Sequence, residues 1–279
     1  MNRRLVVVTA ALSLACAAPA DTQDWRDVTS FRHRSGEERL EVQVRYGAGR
    51  LLIGSGGSTG ELYRVGMRYN ASMFDPITEY QAGRLRVGVE GVGGSIRMGN
   101  HDAGELDLKL SPDVPLDLDL HFGAVRAEIE LGGLMVRELD IETGASETDV
   151  RFSTPNTTPC ERLALSMGAA SFEAVGLGNA NCAEINVEGG VGEVTLDFSG
   201  EWRRNMGADI SMALGSLTLV VPSSVGVRVD KDTFLTSFDA ARFEKRDGVY
   251  YSTNWESAQH RLDVDLSGAF GSVNIRWRN

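Results

Sequence analysis

Acidic side chains alternate with apolar ones through the middle of the chain, and they are the residues best suited to chemistry. Stacked carboxylates can bind Ca²⁺, and a positioned pair of acids can cleave a glycosidic bond. The same residues can instead form a solvated face whose charge discourages other chains from adding strands, and we favour this structural interpretation. The acidic set is Asp107, Asp117, Asp119, Glu128, Glu130, Asp140 and Glu142.

The remaining candidate groups do not combine into a recognisable site. The four histidines, His33, His101, His121 and His260, share no short metal-ligand spacing. No nucleophile elbow or phosphate-binding loop is present in the sequence. His121 falls on the outward phase of its segment, so we expect an exposed side chain. The sequence therefore predicts no catalytic residue, no metal and no cofactor.

Two cysteines remain after the first 20 residues, Cys160 and Cys182. They are 22 residues apart, and each lies eight residues before a glycine of the repeat described below, Gly168 or Gly190. Equivalent residues on neighbouring strands lie about 4.8 Å apart, within reach of disulfide geometry. We predict a Cys160–Cys182 disulfide, with two free thiols as the alternative.

The first 20 residues have the form of an export signal. Arg3 and Arg4 precede a short apolar run, and small residues follow it. The apolar run is about ten residues, too short to span a bilayer. Cleavage after Ala20 and lipidation of Cys16 in an imperfect lipobox remain alternatives. Either route predicts an extracytoplasmic chain, in the periplasm or on the cell surface, with a lipid anchor if Cys16 is acylated.

A glycine-centred pattern recurs seven times along the chain. Four successive intervals between the glycines are 21, 24, 22 and 25 residues, a period typical of stacked repeats. We predict that these glycines are the corners of the repeat, where positive φ is tolerated. The corners are Gly47, Gly123, Gly144, Gly168, Gly190, Gly215 and Gly271.

The apolar residues around each glycine change phase. They stand five and three residues before it, as Leu163 and Leu165 do before Gly168, and four and six residues after it, as Phe172 and Ala174 do. A straight strand would keep its parity, so a bend or bulge must keep both arms facing one core. The pattern predicts an all-β, single-stranded β-solenoid of stacked coils of about 22 residues. An antiparallel β-sandwich is the alternative.

Parts of the sequence resemble a known family. VRYGAGRLLIGSGG from Val44, LYRVGMRYN from Leu62 and the strand after Pro76 resemble the amino-terminal module of the bacterial toast-rack family. GVYYSTNW from Gly248 and HRLDVDLSGAFGSVNIRW from His260 are similar to LiaF-like cell-wall-active antibiotic response proteins and putative adhesins. The resemblance implies an exported or membrane-associated β-rich module with regulatory, scaffolding or adhesive roles and no enzymatic chemistry.

These observations predict four segments. Residues 1–20 are a signal peptide, 21–36 a linker, 37–100 a toast-rack-like N-terminal β module and 101–279 the solenoid. Residues 231–259 interrupt the repeat and form a longer excursion or a cap.

Composition and charge restrict the classes of function that the chain can have. The chain is 42% hydrophobic, with 32 glycines and 7 prolines among its 279 residues, which suits many short strands. The net charge of −11 opposes binding to nucleic acid or anionic lipid. We predict a non-enzymatic, adhesin-like binding or scaffolding protein of the cell envelope whose partner is an envelope protein or a glycan. A carbohydrate-active or calcium-binding protein that uses the acidic face is the alternative.

Overall fold

The computed structural model of the protein describes residues 24–56, 59–91, 104–233, 237–238, 241–269 and 271–279. Almost all of the regular structure in these residues is β-strand, which confirms the predicted all-β class. The elements are β1 (Trp25–His33), β2 (Leu40–Ser55), β3 (Glu61–Asn70), β4 (Phe74–Gln81), β5 (Arg84–Gly91), β6 (Glu105–Leu110), β7 (Pro115–Glu130), β8 (Met135–Thr143), β9 (Glu147–Arg151), β10 (Cys160–Val175), α1 (Leu177–Ala180), β11 (Cys182–Asp197), β12 (Met206–Pro222), β13 (Gly226–Thr233), β14 (Ser237–Phe238), β15 (Phe243–Arg246), β16 (Val249–Ser252), β17 (Arg261–Gly268) and β18 (Ser272–Arg278).

The chain winds as stacked coils, each with two arms joined at a corner. The first arms pair in parallel in the order β5, β2, β7, β8, β10, β11, β12, β17 and β13. The second arms pair in parallel as β2, β7, β9, β10, β11, β12 and β18, with β6 beside β2. Parallel pairing of successive coils is the arrangement of a solenoid, not of the antiparallel sandwich.

The core consists of apolar columns that run along the stack. Leu139 pairs with Leu163, and Leu163 pairs with Ile185, so these three buried residues lie in one column. Because each column member packs on its neighbours above and below, every coil after the first buries its apolar face on an existing surface. This confirms the prediction that successive coils stack with equivalent residues above one another.

The change of phase at the corner is also confirmed. In β10 the inward positions 163, 165 and 167 before the corner and 170, 172 and 174 after it are all buried. Two exposed residues, Gly168 and Ala169, separate the two series. One extra residue in the bend therefore turns both arms toward the same core.

Close approach between coils, more than positive φ, explains glycine at three of the corners, Gly123, Gly168 and Gly190. A Cβ on Gly123 would lie 2.4 Å from the carbonyl oxygen of Gly47, and one on Gly190 would lie 2.5 Å from that of Gly168. Neither Gly123 nor Gly190 has a positive φ. The predicted conformational reason was wrong at these corners, because steric contact with the coil below is what excludes a side chain.

The last two predicted corners are displaced. Gly190 is aligned with Ala213, since Gly189 pairs with Met212 and Val191 pairs with Leu214. Gly215 instead pairs with Gly192, and Gly271 follows in the same column, two residues beyond the true corner. The assignment of these two glycines as equivalent to the first five was wrong, because a glycine two residues on resembles the corner in sequence.

The predicted linker is partly a strand. Trp25–His33 forms β1, which pairs antiparallel with β3 from Trp25↔Asn70 to His33↔Glu61. β3 pairs in turn with β6, so β1 extends the second-arm sheet at its N-terminal end. The prediction of a linker was wrong for these residues, because Val28, Ser30 and Arg32 are partly buried on the sheet.

Antiparallel additions and aromatic side chains lie at the C-terminal end of the stack. β16 pairs with β13, and β15 pairs with β16, within the segment that interrupts the repeat. Phe238, Phe243, Tyr250 and Trp277 form successive ring contacts with centroids 4.9–5.8 Å apart. These partly buried rings pack against the core cluster, so they remove apolar surface from solvent at this end.

Candidate functional site

The outward side chains of the first arms form straight rows across the stack. One row, the middle row, contains Asp119, Asp140, Ala164, Asn186, Asp209, Asp265 and Asp230 in register. The row next to it, the corner row, contains His121, Glu142, Ser166, Glu188, Ser211, Ser267 and Asp232. Because neighbouring strands lie about 4.8 Å apart, each row sets polar groups at a fixed spacing along the stack.

At the N-terminal end of this face, basic side chains contact the carboxylates. Arg45 donates two hydrogen bonds to Asp119, at 3.2 and 3.1 Å. The imidazole of His121 lies between two acids, with Nε2 2.6 Å from Asp119 and Nδ1 3.0 Å from Glu142. The side chain of His121 is only 35% exposed, so the expectation of a simply exposed histidine was wrong. Asp119 on its own strand and Glu142 on the next coil cover part of the ring.

A groove of about 560 Å³ runs across the later coils of the same face. Its lining includes Asn186, Glu188, Asp209 and Ser211, which follow one another in the two rows. Glu188 and Asp209 are exposed, and neither forms an ion pair within the part of the chain that the structure describes. The groove therefore presents negative charge to solvent.

One arginine faces three carboxylates at the C-terminal side of the groove. Arg228 donates to Asp263, to Asp265 at 3.2 Å and to Asp230 at 2.9 Å. The hydrogen bond to Asp263 raises the pKa of the Arg228 guanidinium above its ordinary value. A single positive charge cannot neutralise three acids, so this end of the groove also keeps a negative excess.

A second depression of about 820 Å³ lies at the corner, directly beside the groove. Both are lined by Ser166, Glu188 and Ser211, so the two form one continuous surface. Two large apolar side chains stand at the same corner, where Val191 is 55% exposed and Leu214 is 57% exposed. They are register partners on adjacent coils, β11 and β12.

The structure separates the acidic residues that the sequence grouped together. Asp117, Asp119, Asp140 and Glu142 lie on the first-arm face, whereas Asp107, Glu128 and Glu130 lie on second arms. The expectation of a single acidic outer face was wrong, because the corner between the arms turns the later members of each coil away. In the described ranges, no group of three or more histidine, cysteine or acidic residues is placed to hold a metal ion.

The predicted disulfide is confirmed. Cys160 and Cys182 are register partners at the start of β10 and β11, and their sulfurs are bonded. Both residues are fully buried. Cys16 and the rest of the predicted leader, residues 1–20, lie outside the described residues. Nothing in residues 24–56, 59–91, 104–233, 237–238, 241–269 and 271–279 is a helix long and apolar enough to cross a membrane.

Sequence reasoning missed Val191 and Leu214 as surface residues. These residues become visible when the residues that follow the corner glycines are aligned. That column contains Ala48, Ala124, Ala145, Ala169 and Val191. Leu214 continues that series only once the corner is moved from Gly215 to Ala213. The displaced corner therefore concealed Leu214 as the partner of Val191.

Comparisons with known proteins support the family resemblance. The model of the family described as N-terminal domain of toast_rack, DUF2154, matches residues 19–161 and again 154–220, together more than half of the chain. No curated protein matches the sequence.

Two solved structures align along most of the chain at low identity. A putative cell adhesion protein from Clostridium sporogenes ATCC 15579 is 18% identical, with a TM-score of 0.49, and the alignment covers 91% of this chain and 100% of that one. A putative adhesin from Bacteroides fragilis NCTC 9343 is 12% identical, with a TM-score of 0.38 and coverage of 89% and 97%.

Proposed function

The chain belongs to the toast-rack family, and from that premise we propose that it is a non-enzymatic, adhesin-like binding and scaffolding protein of the bacterial cell envelope. The first-arm face of β10, β11, β12 and β17 is its binding surface. Its partner is an envelope protein that carries basic groups.

The observation that carries this proposal is the continuous groove over the later coils. It is lined by rows of carboxylates and hydroxyls at strand spacing, including Glu188, Asp209 and Ser211. The rows come from the ladder itself, so the groups are held in place by the backbone pairing of successive coils. A rigid, repetitive and negatively charged surface suits recognition of an extended basic partner.

Two features support an extracytoplasmic location. The Cys160–Cys182 disulfide is typical of oxidising compartments. The leader at residues 1–20 has the composition of an export signal. Intact-mass measurement on the membrane fraction tests the anchor, because an acylated chain that begins at Cys16 and an unmodified chain that begins at Asp21 differ in mass.

Proximity labelling in the native cell envelope tests the binding role. We expect the full wild-type chain to label a specific envelope protein, and the double variant Glu188→Gln, Asp209→Asn to lose that labelling. The matched control is Glu128→Gln, which removes an acid from a second arm, on the other face. Equal labelling by wild type and the groove variant would contradict the proposal.

A further inference from the structure

The residues that follow the corners form an apolar ridge along the stack. Ala48 pairs with Ala124, Ala169 pairs with Val191, and Val191 pairs with Leu214. We call Val191 and Leu214, the two large members, the corner ridge. Both are more than half exposed, in contrast to the apolar residues of the core columns. Side chain size therefore increases toward the C-terminal coils, the same coils that carry the acidic groove.

The surface beside the corner ridge is open because its floor has few side chains. Gly168, Gly190 and Ala213 occupy the corner column there, and Gly268 lies nearby on the next coil. A Cβ on Gly190 would contact the carbonyl oxygen of Gly168 at 2.5 Å, so the packing of the coils themselves keeps this floor flat. The floor adjoins the corner ridge along the chain, since Val191 follows Gly190 and Leu214 follows Ala213.

Acids border the floor on its other side. Glu142 and Glu188 stand in the corner row and line the depression, and Asp209 lies in the middle row behind them. Glu142 contacts His121, whereas Glu188 makes no ion pair within the residues that the structure describes. The corner ridge thus lies on the same two coils, those of β11 and β12, as Glu188 and Asp209, which form no ion pair among the described residues.

We propose that this corner docks a basic, amphipathic segment of another protein, with an apolar side chain on Val191 and Leu214 and lysine or arginine side chains against Glu188 and Asp209. This inference rests on the proposed binding function and specifies the chemistry of the partner. Charge complementarity selects this occupant, because an acidic wall repels anionic lipid. A second copy of this chain is disfavoured by its net charge of −11.

Fluorescence anisotropy with labelled synthetic peptides tests the proposal. The full chain is titrated with a peptide of alternating lysine and leucine and with one of alternating lysine and serine. We expect the lysine–leucine peptide to bind about tenfold more tightly, as burial of exposed apolar surface on the ridge requires. The double variant Val191→Ser, Leu214→Ser should lose this advantage and retain the weaker binding.

Two further variants separate the ridge from the acidic wall. Ala48→Ser with Ala124→Ser alters the same row on earlier coils, outside the lining of the groove, and the advantage of the leucine peptide should persist. Glu188→Gln with Asp209→Asn should weaken both peptides by about tenfold and reduce their dependence on salt.

The outcomes discriminate between this inference and the proposed function. If the ridge variant still binds the lysine–leucine peptide more tightly than the lysine–serine peptide, the corner ridge is not the apolar binding site. The same conclusion follows if wild type binds the two peptides equally well. The binding role still stands in that case if envelope labelling depends on Glu188 and Asp209. Self-association in sedimentation experiments that disappears in the ridge variant would identify a second copy as the occupant and overturn the proposal.

Discussion

The two ends of the first-arm face use the same architecture differently. On β2, β7 and β8, Asp119 is held by Arg45 and His121, and Asp117 is held by Arg39. On β11 and β12, Glu188 and Asp209 stand in the same rows without an ion pair among the described residues. The rows therefore form ion pairs between coils at one end and carry carboxylates without an ion pair among the described residues at the other.

The disulfide lies between these two regions, and its removal should have the largest effect. We expect Cys160→Ser with Cys182→Ser to lower the free energy of unfolding by about 3 kcal/mol, because the bond closes a loop of 22 residues in the unfolded chain. Urea denaturation of oxidised wild type and of the variant measures the difference. Equal stability would show that pairing of the parallel strands alone fixes the register between β10 and β11.

Gly123 and Gly190, one corner glycine in each region, should matter equally, because each is in close contact with the coil below and charge plays no part in that packing. We expect Gly123→Ala and Gly190→Ala each to cost about 2 kcal/mol, because the new Cβ would overlap a carbonyl oxygen of the coil below.

Gly144→Ala is the matched control for these corner variants. Its Cβ would lie 3.6 Å from the nearest oxygen, an ordinary contact, so its cost should be much smaller. The free energy of unfolding of all three variants is compared from their denaturation midpoints, provided that the m-value does not change. A large loss in Gly144→Ala would contradict the steric explanation.

The N-terminal end should show a specific sensitivity to acid. Burial acts to raise the pKa of Glu37, but hydrogen bonds from Ser35 and Tyr80 to its carboxylate lower that pKa to about 2. A depressed pKa stabilises the folded state above the ordinary value of 4.5, and this contribution is lost as the pH falls from there toward about 2. Glu37→Gln should therefore lower Tm at pH 7.

The difference in Tm between wild type and Glu37→Gln should shrink as the pH falls below about 4. Glu38→Gln is the neighbouring control, since Glu38 is exposed and should change Tm little at any pH. Thermal unfolding followed by circular dichroism measures these values. A constant difference across the pH range would rule out the proposed role of the carboxylate.

The smallest expected effect is the most direct test of the comparison. Asp119→Asn removes the partner of Arg45 and His121 and should cost about 0.5 kcal/mol, because the ion pair with Arg45 and the contact with His121 are partly exposed. Asp209→Asn should be neutral or slightly stabilising, since Asp209 lies beside Asp265 without a basic partner in the described chain. High salt should reduce the difference in stability change between the two variants. Equal losses would mean that the two ends do not differ.

Much of the fold was predictable because its signals are local. The change of phase around Gly168 requires a bend that keeps two arms on one core, and β10 shows it. The equal distance of Cys160 and Cys182 from their corners predicted their bond, which the parallel register brings about. The family resemblance was carried by the same glycine and strand pattern.

The predictions of a corner at Gly215 and of a linker at residues 25–33 failed because the local sequence is compatible with two structures in each case. Gly215 has the same flanking pattern as a corner, but pairing of β11 with β12 aligns it with Gly192. The alternation in Trp25–His33 is weak, and only its pairing with β3 makes these residues a strand. In both cases contacts with distant residues decided between local alternatives.

The sequence by itself determined that the chain is β-rich, that it bends at glycines and that two cysteines occupy equivalent positions, because period, parity and spacing are properties of one strand. Only the tertiary structure decided which residues stand next to one another across coils. It paired Asp119 with Arg45, left Asp209 beside Asp265, and placed Val191 against Leu214 at an open corner. The physical reason is register, because a shift of one coil by two residues preserves the parity of every side chain yet changes all of its neighbours.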